Sequence, residues 1–471
     1  MTNSHLVLIL RTLSKKEERE LRKWLNSPAH NHREDVITLF EYLMAGQHLY
    51  EEKFLEKERV FSRIVPEEAY DDAKLRQSMH FLLKSVEEFL IYQEQQSDEV
   101  RARMALASVF RKRKLDRAFK KAIKAVETQQ EKAIYRNEQF LRNEYLLQLE
   151  KYSFYDGKKR TTEMNLQEVS DALDLTFVAD KLRQGCLMIA HQSVYKAQYN
   201  IGLLEYIIEY VDRQKLMLHH PAIAVYYYGY KAITDESGKQ YFEDLRQEIH
   251  KHRASFPKSE LRDIYLMAVN YCIRQANKFN DSELIREAFR LYRQGLENEI
   301  LLENGVVSPF TFRNAVGAGL RLKEYDWVEQ FIHRYKKALP ANYRDSFFLH
   351  SLARLNFEKG DYGSAMQLLA QTDFDDTLIN LNAKSMLLKI YYELDEYDAL
   401  ESLLESMRAY LKRKQLMGAY RSNYHNFIRF TRKLVRINPF DEKEKEDLKS
   451  EILTASPLTE KDWLLEQVQE L

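Results

Sequence analysis

The chain is 471 residues long, with 72 basic and 72 acidic side chains and a formal net charge of zero. Its 13 glycines and 8 prolines, 21 of 471 or about 4.5%, stand against about 12% in ordinary usage, which argues against sandwiches, barrels and doubly wound sheets, folds that need many tight turns. The charge balance excludes a global attraction to nucleic acid or membrane and leaves only local patches to consider.

In chain order, the apolar run at 6–10 is too short to cross a bilayer, and no Lys or Arg precedes it. No segment reads as a targeting signal, and a cytoplasmic location is expected. Ser14-Lys-Lys-Glu17 has the pattern of a capping box ahead of Leu21, Trp24 and Leu25. Leu75, Met79, Leu82, Leu83, Val86 and Leu90 form one stripe of a long helix, with Pro66-Glu-Glu as its start signal. Residues 1–160 show no repeat and predict an N-terminal helical bundle. Within them, residues 101–124 carry ten basic side chains and one acid, net +9, on a predicted helix whose apolar stripe is Leu115, Phe119, Ile123 and Val126.

Asn165-Leu-Gln-Glu168 resembles a second capping box. Breaks are expected at 45–50, 156–160, 235–239, 256–259, 304–309, 339–342, 373–377 and 438–441. Past residue 160 their spacing fits one or two helices per interval, as in a solenoid of helical hairpins. Cys186 and Cys272 sit in apolar helical stripes, so two buried free thiols in a reducing compartment are expected. Pro221 opens a helix holding Tyr226, Tyr227, Tyr228 and Tyr230, which cannot share one narrow face at about 100° per residue. No stretch alternates convincingly as a strand, so helix content well above half is predicted. Residues 441–471 carry ten acids and four bases, and Trp463, Leu464 and Val468 can seal the last repeat.

The repeat itself aligns on three tyrosines: Lys-Glu-Tyr325, Gly-Asp-Tyr362 and Asp-Glu-Tyr397. Three residues on come Val328, Ala365 and Leu400, and seven on come Ile332, Leu369 and Leu404. Five before come Leu320, Phe357 and Tyr392, and nine before come Val316, Ala353 and Leu388. The tyrosine closes an inter-helix turn, the +3 residue is where the second helix meets the first, and −9 and −5 are the first helix's packing face. Gly317 and Gly319 fall inside such a first helix, where glycine permits close packing. The pattern resembles the tetratricopeptide (TPR) family over about residues 310–412. The Leu352-Ala353, Gly360-Asp361-Tyr362 and Ala365–Leu369 unit matches best, and bulky Val328, Leu388 and Leu400 depart from the family's small residues. The resemblance implies paired antiparallel helices and a concave groove, and it names no ligand.

The expected fold is all-α: a bundle over 1–160, a TPR-like right-handed solenoid of helical hairpins over 161–440, and an acidic segment with a capping helix over 441–471. That layout resembles bacterial peptide-sensing regulators. The sequence holds no phosphate loop, nucleophile elbow, H-E-x-x-H or C-x-x-C, and its histidine pairs at 30/32, 219/220 and 250/252 lack converging partners. No catalytic residue, metal or cofactor is therefore assigned. The leading expectation is a non-enzymatic scaffold or regulator that binds a protein or peptide on the solenoid's concave face. RNA or DNA binding by the basic helix stands second, and an enzyme without a recognisable motif third; no membrane role is expected. The candidate partner-binding residues are Arg111, Lys112, Arg113, Lys114, Lys120, Lys121 and Lys124, with Tyr226, Tyr227, Tyr228 and Tyr230.

Overall fold

A computed structural model of the chain describes residues 1–156, 164–194, 198–235, 238–279, 281–370, 377–413 and 418–471. Helices occupy 79% of it. The chain divides into two compact units, Met1–Phe177 and Val178–Leu471. The turns expected at 156–160, 235–239 and 373–377 lie partly outside the described residues.

The first unit has two cores. Helices α1 (His5–Leu10), α2 (Lys15–Leu25), α3 (Glu34–Met44), α4 (Lys57–Ile64) and α5 (Asp72–Ser97) enclose Leu21, Phe40, Val60 and Leu82. The Ser14 box forms in full, with the Ser14 hydroxyl accepting from Glu17 N–H and the Glu17 carboxylate accepting from Ser14 N–H at 2.7 Å. The start of α5 is set by Asp71, whose carboxylate accepts from Ala73 N–H and Lys74 N–H, and not by Pro66. Helices α6 (Glu99–Lys112), α7 (Asp116–Lys132) and α8 (Glu138–Tyr155) enclose Ala107, Phe119, Val126 and Leu147. The division between units falls within α9 (Leu166–Val194). Asn165 does not complete a second capping box: its Oδ1 accepts no hydrogen bond from the described residues, while its amide N–H groups donate to the Gln148 carbonyl and side chain.

The second unit continues with α10 (Leu204–Arg213), α11 (Pro221–Thr234), α12 (Gly238–His252), α13 (Lys258–Phe279), α14 (Ser282–Glu297), α15 (Pro309–Arg321), α16 (Tyr325–Tyr335), α17 (Arg344–Glu358) and α18 (Tyr362–Ala370). It ends with α19 (Thr377–Glu393), α20 (Tyr397–Arg413), α21 (Gly418–Arg436), α22 (Glu442–Thr454) and α23 (Lys461–Glu470). Consecutive helices pack as hairpins, and the first helices of neighbouring hairpins also touch, α15 on α17 and α17 on α19. This is a helical solenoid. Pro221 and Pro309 each occupy the first turn of their helix, where the missing N–H is harmless. Only one strand pair interrupts the described helices: Leu302–Glu303 against Val306–Val307, joined by Asn304 and Gly305 with φ of 51° and 78°. Two successive positive φ values are what a two-residue hairpin turn demands. At two residues per strand, the pair is too short to show alternation.

The tyrosine register is borne out at the level of position. Tyr325, Tyr362 and Tyr397 are each the first residue of a second helix. Every residue named at −9, +3 and +7 is buried, and Leu320 is buried at −5 while Phe357 and Tyr392 are half-buried. The turns share one geometry. The residue two before the tyrosine has positive φ: Lys323 at 59°, Gly360 at 80°, Asp395 at 57°. The next N–H donates to the carbonyl five residues back, Glu324 to Gly319, Asp361 to Asn356 and Glu396 to Tyr391, at 2.8–2.9 Å. That bond closes the end of the first helix in the manner of a Schellman cap.

Candidate functional site

Three surfaces bear on function. The first is the basic segment. The structure corrects the single helix expected over 101–124: α6 ends at Lys112 and α7 begins at Asp116. The turn between them has the geometry of the three repeats, with Lys114 at φ 59° and Leu115 N–H donating to Phe110 carbonyl at 2.9 Å. The packing face is Phe119, Ile123 and Val126, all buried, whereas Leu115 lies in the turn, 47% exposed. Arg111 is not a surface charge of this patch, since its guanidinium holds the Glu150 carboxylate of α8 at 2.6 Å, partly out of water. That pairing keeps the Arg111 guanidinium more firmly protonated than usual. Lys112, Arg113, Lys114, Lys120, Lys121 and Lys124 are exposed and form no ion pair with another described residue.

The second is the tyrosine helix. Tyr226, Tyr227 and Tyr230 are buried and Tyr228 is half-buried, so these rings build the interior and do not line an open groove. Tyr226 donates its hydroxyl to the Glu260 carboxylate at 2.9 Å, and Tyr227 donates to Asp212. Burial, reinforced by those carboxylates, pushes both phenols far above their ordinary range. Two buried polar groups satisfy each other at each contact, the usual condition for tolerating them inside. Nearby, the Cys186 thiol donates to Tyr226 carbonyl at 3.3 Å, and burial pushes it up to about 12. Cys272 is likewise buried and shifted upward, so neither thiol has nucleophile chemistry.

The third surface was not legible in the sequence. A cleft of about 640 Å³ runs between the first helices of four successive hairpins, α9, α11, α13 and α15. Ile189, Ile233, Met267 and Ile273 supply apolar walls, and Gln192, Asn270, Arg274, Gln275 and Asn314 supply polar groups; no acid among the described residues lines it. Gln275 Oε1 is buried there and accepts no hydrogen bond from the described residues. These residues are scattered over 126 positions of chain, so only the stacking of hairpins brings them together.

Among the described residues no cluster of three or more His, Cys, Asp or Glu side chains is arranged to hold a metal, and no helix is long and apolar enough to cross a membrane. His30 stacks on Trp24 with ring centroids 3.5 Å apart. No family model, curated protein or solved structure matches the chain.

Proposed function

We propose that this chain is a non-catalytic binding protein whose α9–α11–α13–α15 cleft takes an extended peptide segment of a partner protein. The lining carries the reading: apolar Ile189, Ile233, Met267 and Ile273 alternate with side-chain amides in one cleft of about 640 Å³. Asn270, Gln192 and Asn314 offer further amides of the kind that pair with a peptide backbone, and the apolar walls receive side chains. Arg274 in the lining favours segments that are neutral or acidic. The TPR-like character of the hairpins belongs to the same reading, since such repeats present a groove of first helices.

The test is selection of peptides from a random display library on the full chain, followed by calorimetry with the synthetic winners. Combined substitution of Asn270→Ala, Arg274→Ala and Gln275→Ala is expected to weaken binding at least tenfold with the helical spectrum unchanged. Winners that bind this variant as tightly as the parent would remove the cleft from consideration.

A second reading rests on the exposed cations of the α6–α7 turn, which we propose as a phosphate-backbone surface for RNA or DNA. Five phosphate contacts to a single strand would give a slope of log K against log salt near −3.5, at about −0.7 per contact. Lys112, Arg113, Lys120 and Lys121 changed together to Gln should flatten that slope. Arg111 is left intact because its loss would strand Glu150. No retardation of any nucleic acid at low salt would end this reading.

A further inference from the structure

From Ser406 to Phe440 the chain carries nine Lys and Arg and not one Asp or Glu, between Glu405 on one side and Asp441 on the other. The stretch includes the end of α20 and the whole of α21. Its fold sorts the charges into two groups. Tyr424, Phe427, Phe430, Thr431 and Leu434 fix one face of α21 into the core. At the C-terminal end of α21 the cations are matched: Arg432 to Glu405 at 2.6 Å, Lys433 to Glu451 at 2.6 Å and Arg436 to Glu401 at 3.2 Å.

At the other end they are not. Arg408 and Lys412 lie four apart on α20, and Arg421, His425 and Arg429 lie four apart on α21, so each set falls on one helix face. Arg408, Lys412, Arg421 and Arg429 make no ion pair with any described residue. His425 is half-buried, and burial together with Arg421, Arg408 and Lys412 lowers its pKa from the ordinary histidine value. A cleft of about 760 Å³ opens here. Arg408, His425 and Arg429 line it together with the matched Arg432, Lys433 and Arg436, Ile428, Ile437 and Leu448 contribute apolar surface, and Glu444, Asp447 and Glu451 of α22 stand on its acidic side; Lys412 and Arg421 are not among its lining residues.

We infer that this α20–α21–α22 cleft is a binding site for a small phosphorylated molecule of nucleotide size, its phosphates held by the unmatched Arg408 and Arg429, its hydroxyl or amino groups turned to Glu444 and Asp447. The cleft volume is that of a small-molecule site, which spans about 300–1,000 Å³. Guanidinium forks match phosphate oxygens two at a time, and two guanidiniums without a carboxylate partner, Arg408 from α20 and Arg429 from α21, suit a ligand carrying several negative charges. A long polyanion fits poorly, because its next charges would run against the carboxylates of α22. Among the described residues no Phe, Tyr or Trp lines the cleft, so it offers no run of large rings of the kind on which successive bases of a single strand stack. This site is independent of the peptide cleft on the first helices.

The experiment is calorimetric titration of the full chain at moderate salt with three probes: adenosine triphosphate, inorganic tripolyphosphate and a short poly-glutamate peptide. Saturable binding of the nucleotide is expected, at least tenfold tighter than tripolyphosphate and tighter still than the acidic peptide. Arg408→Gln with Arg429→Gln should cost the nucleotide and tripolyphosphate at least tenfold each, with the circular dichroism spectrum and melting temperature holding. Asp447→Asn should weaken the nucleotide several-fold and leave tripolyphosphate unchanged or tighter. As a control for loose polycation binding, Lys15→Gln with Lys23→Gln, two exposed cations of α2 in the first unit, should change nothing. The proposal is overturned by no saturable binding of the nucleotide up to millimolar concentration, by binding that survives the Arg408/Arg429 change, or by a preference for poly-glutamate, which would assign the cleft to an acidic protein segment.

Discussion

Val328 occupies a position where the neighbouring hairpin has Ala365, and Gly319 is what makes room for it. A Cβ built on Gly319 would stand 2.5 Å from Val328 Cγ2 and 3.3 Å from the Phe289 ring. The departure from small residues in this hairpin is thus compensated on the facing helix. Gly319→Ala gains helix propensity, about 1 kcal/mol, but overpacking a close helix contact costs about 1–3 kcal/mol. Net destabilisation by urea unfolding is expected, and Val328→Ala added to it should restore most of the loss. If Gly319→Ala alone stabilises, the contact is looser than described. A second residue sets a pH dependence. His350 on α17 is buried, and burial with Arg354 and Arg313 nearby lowers its pKa from 6.5 to about 3. Below pH 6.5 the unfolded chain takes up a proton that the folded chain refuses, so stability is complete above 6.5 and falls as pH drops toward 3. One such proton gives a slope approaching about 1.4 kcal/mol per pH unit. His350→Gln should unfold with a shallower dependence than the parent between pH 6.5 and 5, whatever its constant offset. Identical slopes would mean that His350 titrates normally.

At the scale of elements, the recurring turn explains both what sequence reading captured and what it lost. Gly360 was visible as a turn residue because glycine is the natural occupant of positive φ. Lys114, Lys323 and Asp395 hold the same conformation without that signature, so the α6–α7 hairpin reads as one continuous basic helix, and its kinship with the repeats goes unseen. The tyrosine register survived because its apolar offsets are local and buried. The tyrosine run of α11 misled for the opposite reason: composition cannot say that Asp212 and Glu260 wait on other helices to receive the hydroxyls. The α21 cations are marked in the sequence by missing acids, not by a dense run of bases, and which of them are matched depends on Glu401, Glu405 and Glu451 of the neighbouring helices. The turn can be tested directly. A Cβ at Gly360 would meet nothing within 4 Å, so Gly360→Ala isolates the cost of left-handed backbone. Destabilisation of about 1 kcal/mol is expected from the steric penalty of that region, measured by thermal or urea unfolding. A neutral result would show that this turn relaxes freely.

For the whole molecule, a solenoid in which hairpins contact chiefly their neighbours has a stability that is nearly a sum along the chain, with its ends most exposed to fraying. The C-terminal end of the second unit is closed by α23. Trp463, Leu464 and Val468 are buried in one cluster with Leu388 of α19, Leu404 of α20 and Phe427 of α21. Polar bonds fix the cap in place: Trp463 Nε1 and the Gln467 amide both donate to the Glu393 carboxylate, at 3.1 and 3.2 Å, and Lys389 pairs with Glu460 at 2.7 Å. Trp463→Ala leaves a large cavity, for which about 3–5 kcal/mol is the usual cost in a core, and it also strips Glu393 of a donor. In a globule with one undivided core that loss would be shared by every element. Here it should be local. Amide hydrogen exchange on the Trp463→Ala chain is expected to show protection falling in α19, α20 and α21, while α11 to α14 keep the parent's rates. The folded end also holds the proposed phosphate cleft, so nucleotide affinity should fall with α21 protection even though Trp463 does not line that cleft. Uniform loss of protection from α11 to α23 would show that the unit unfolds as a single cooperative body, and the nearest-neighbour account of its stability would have to be abandoned.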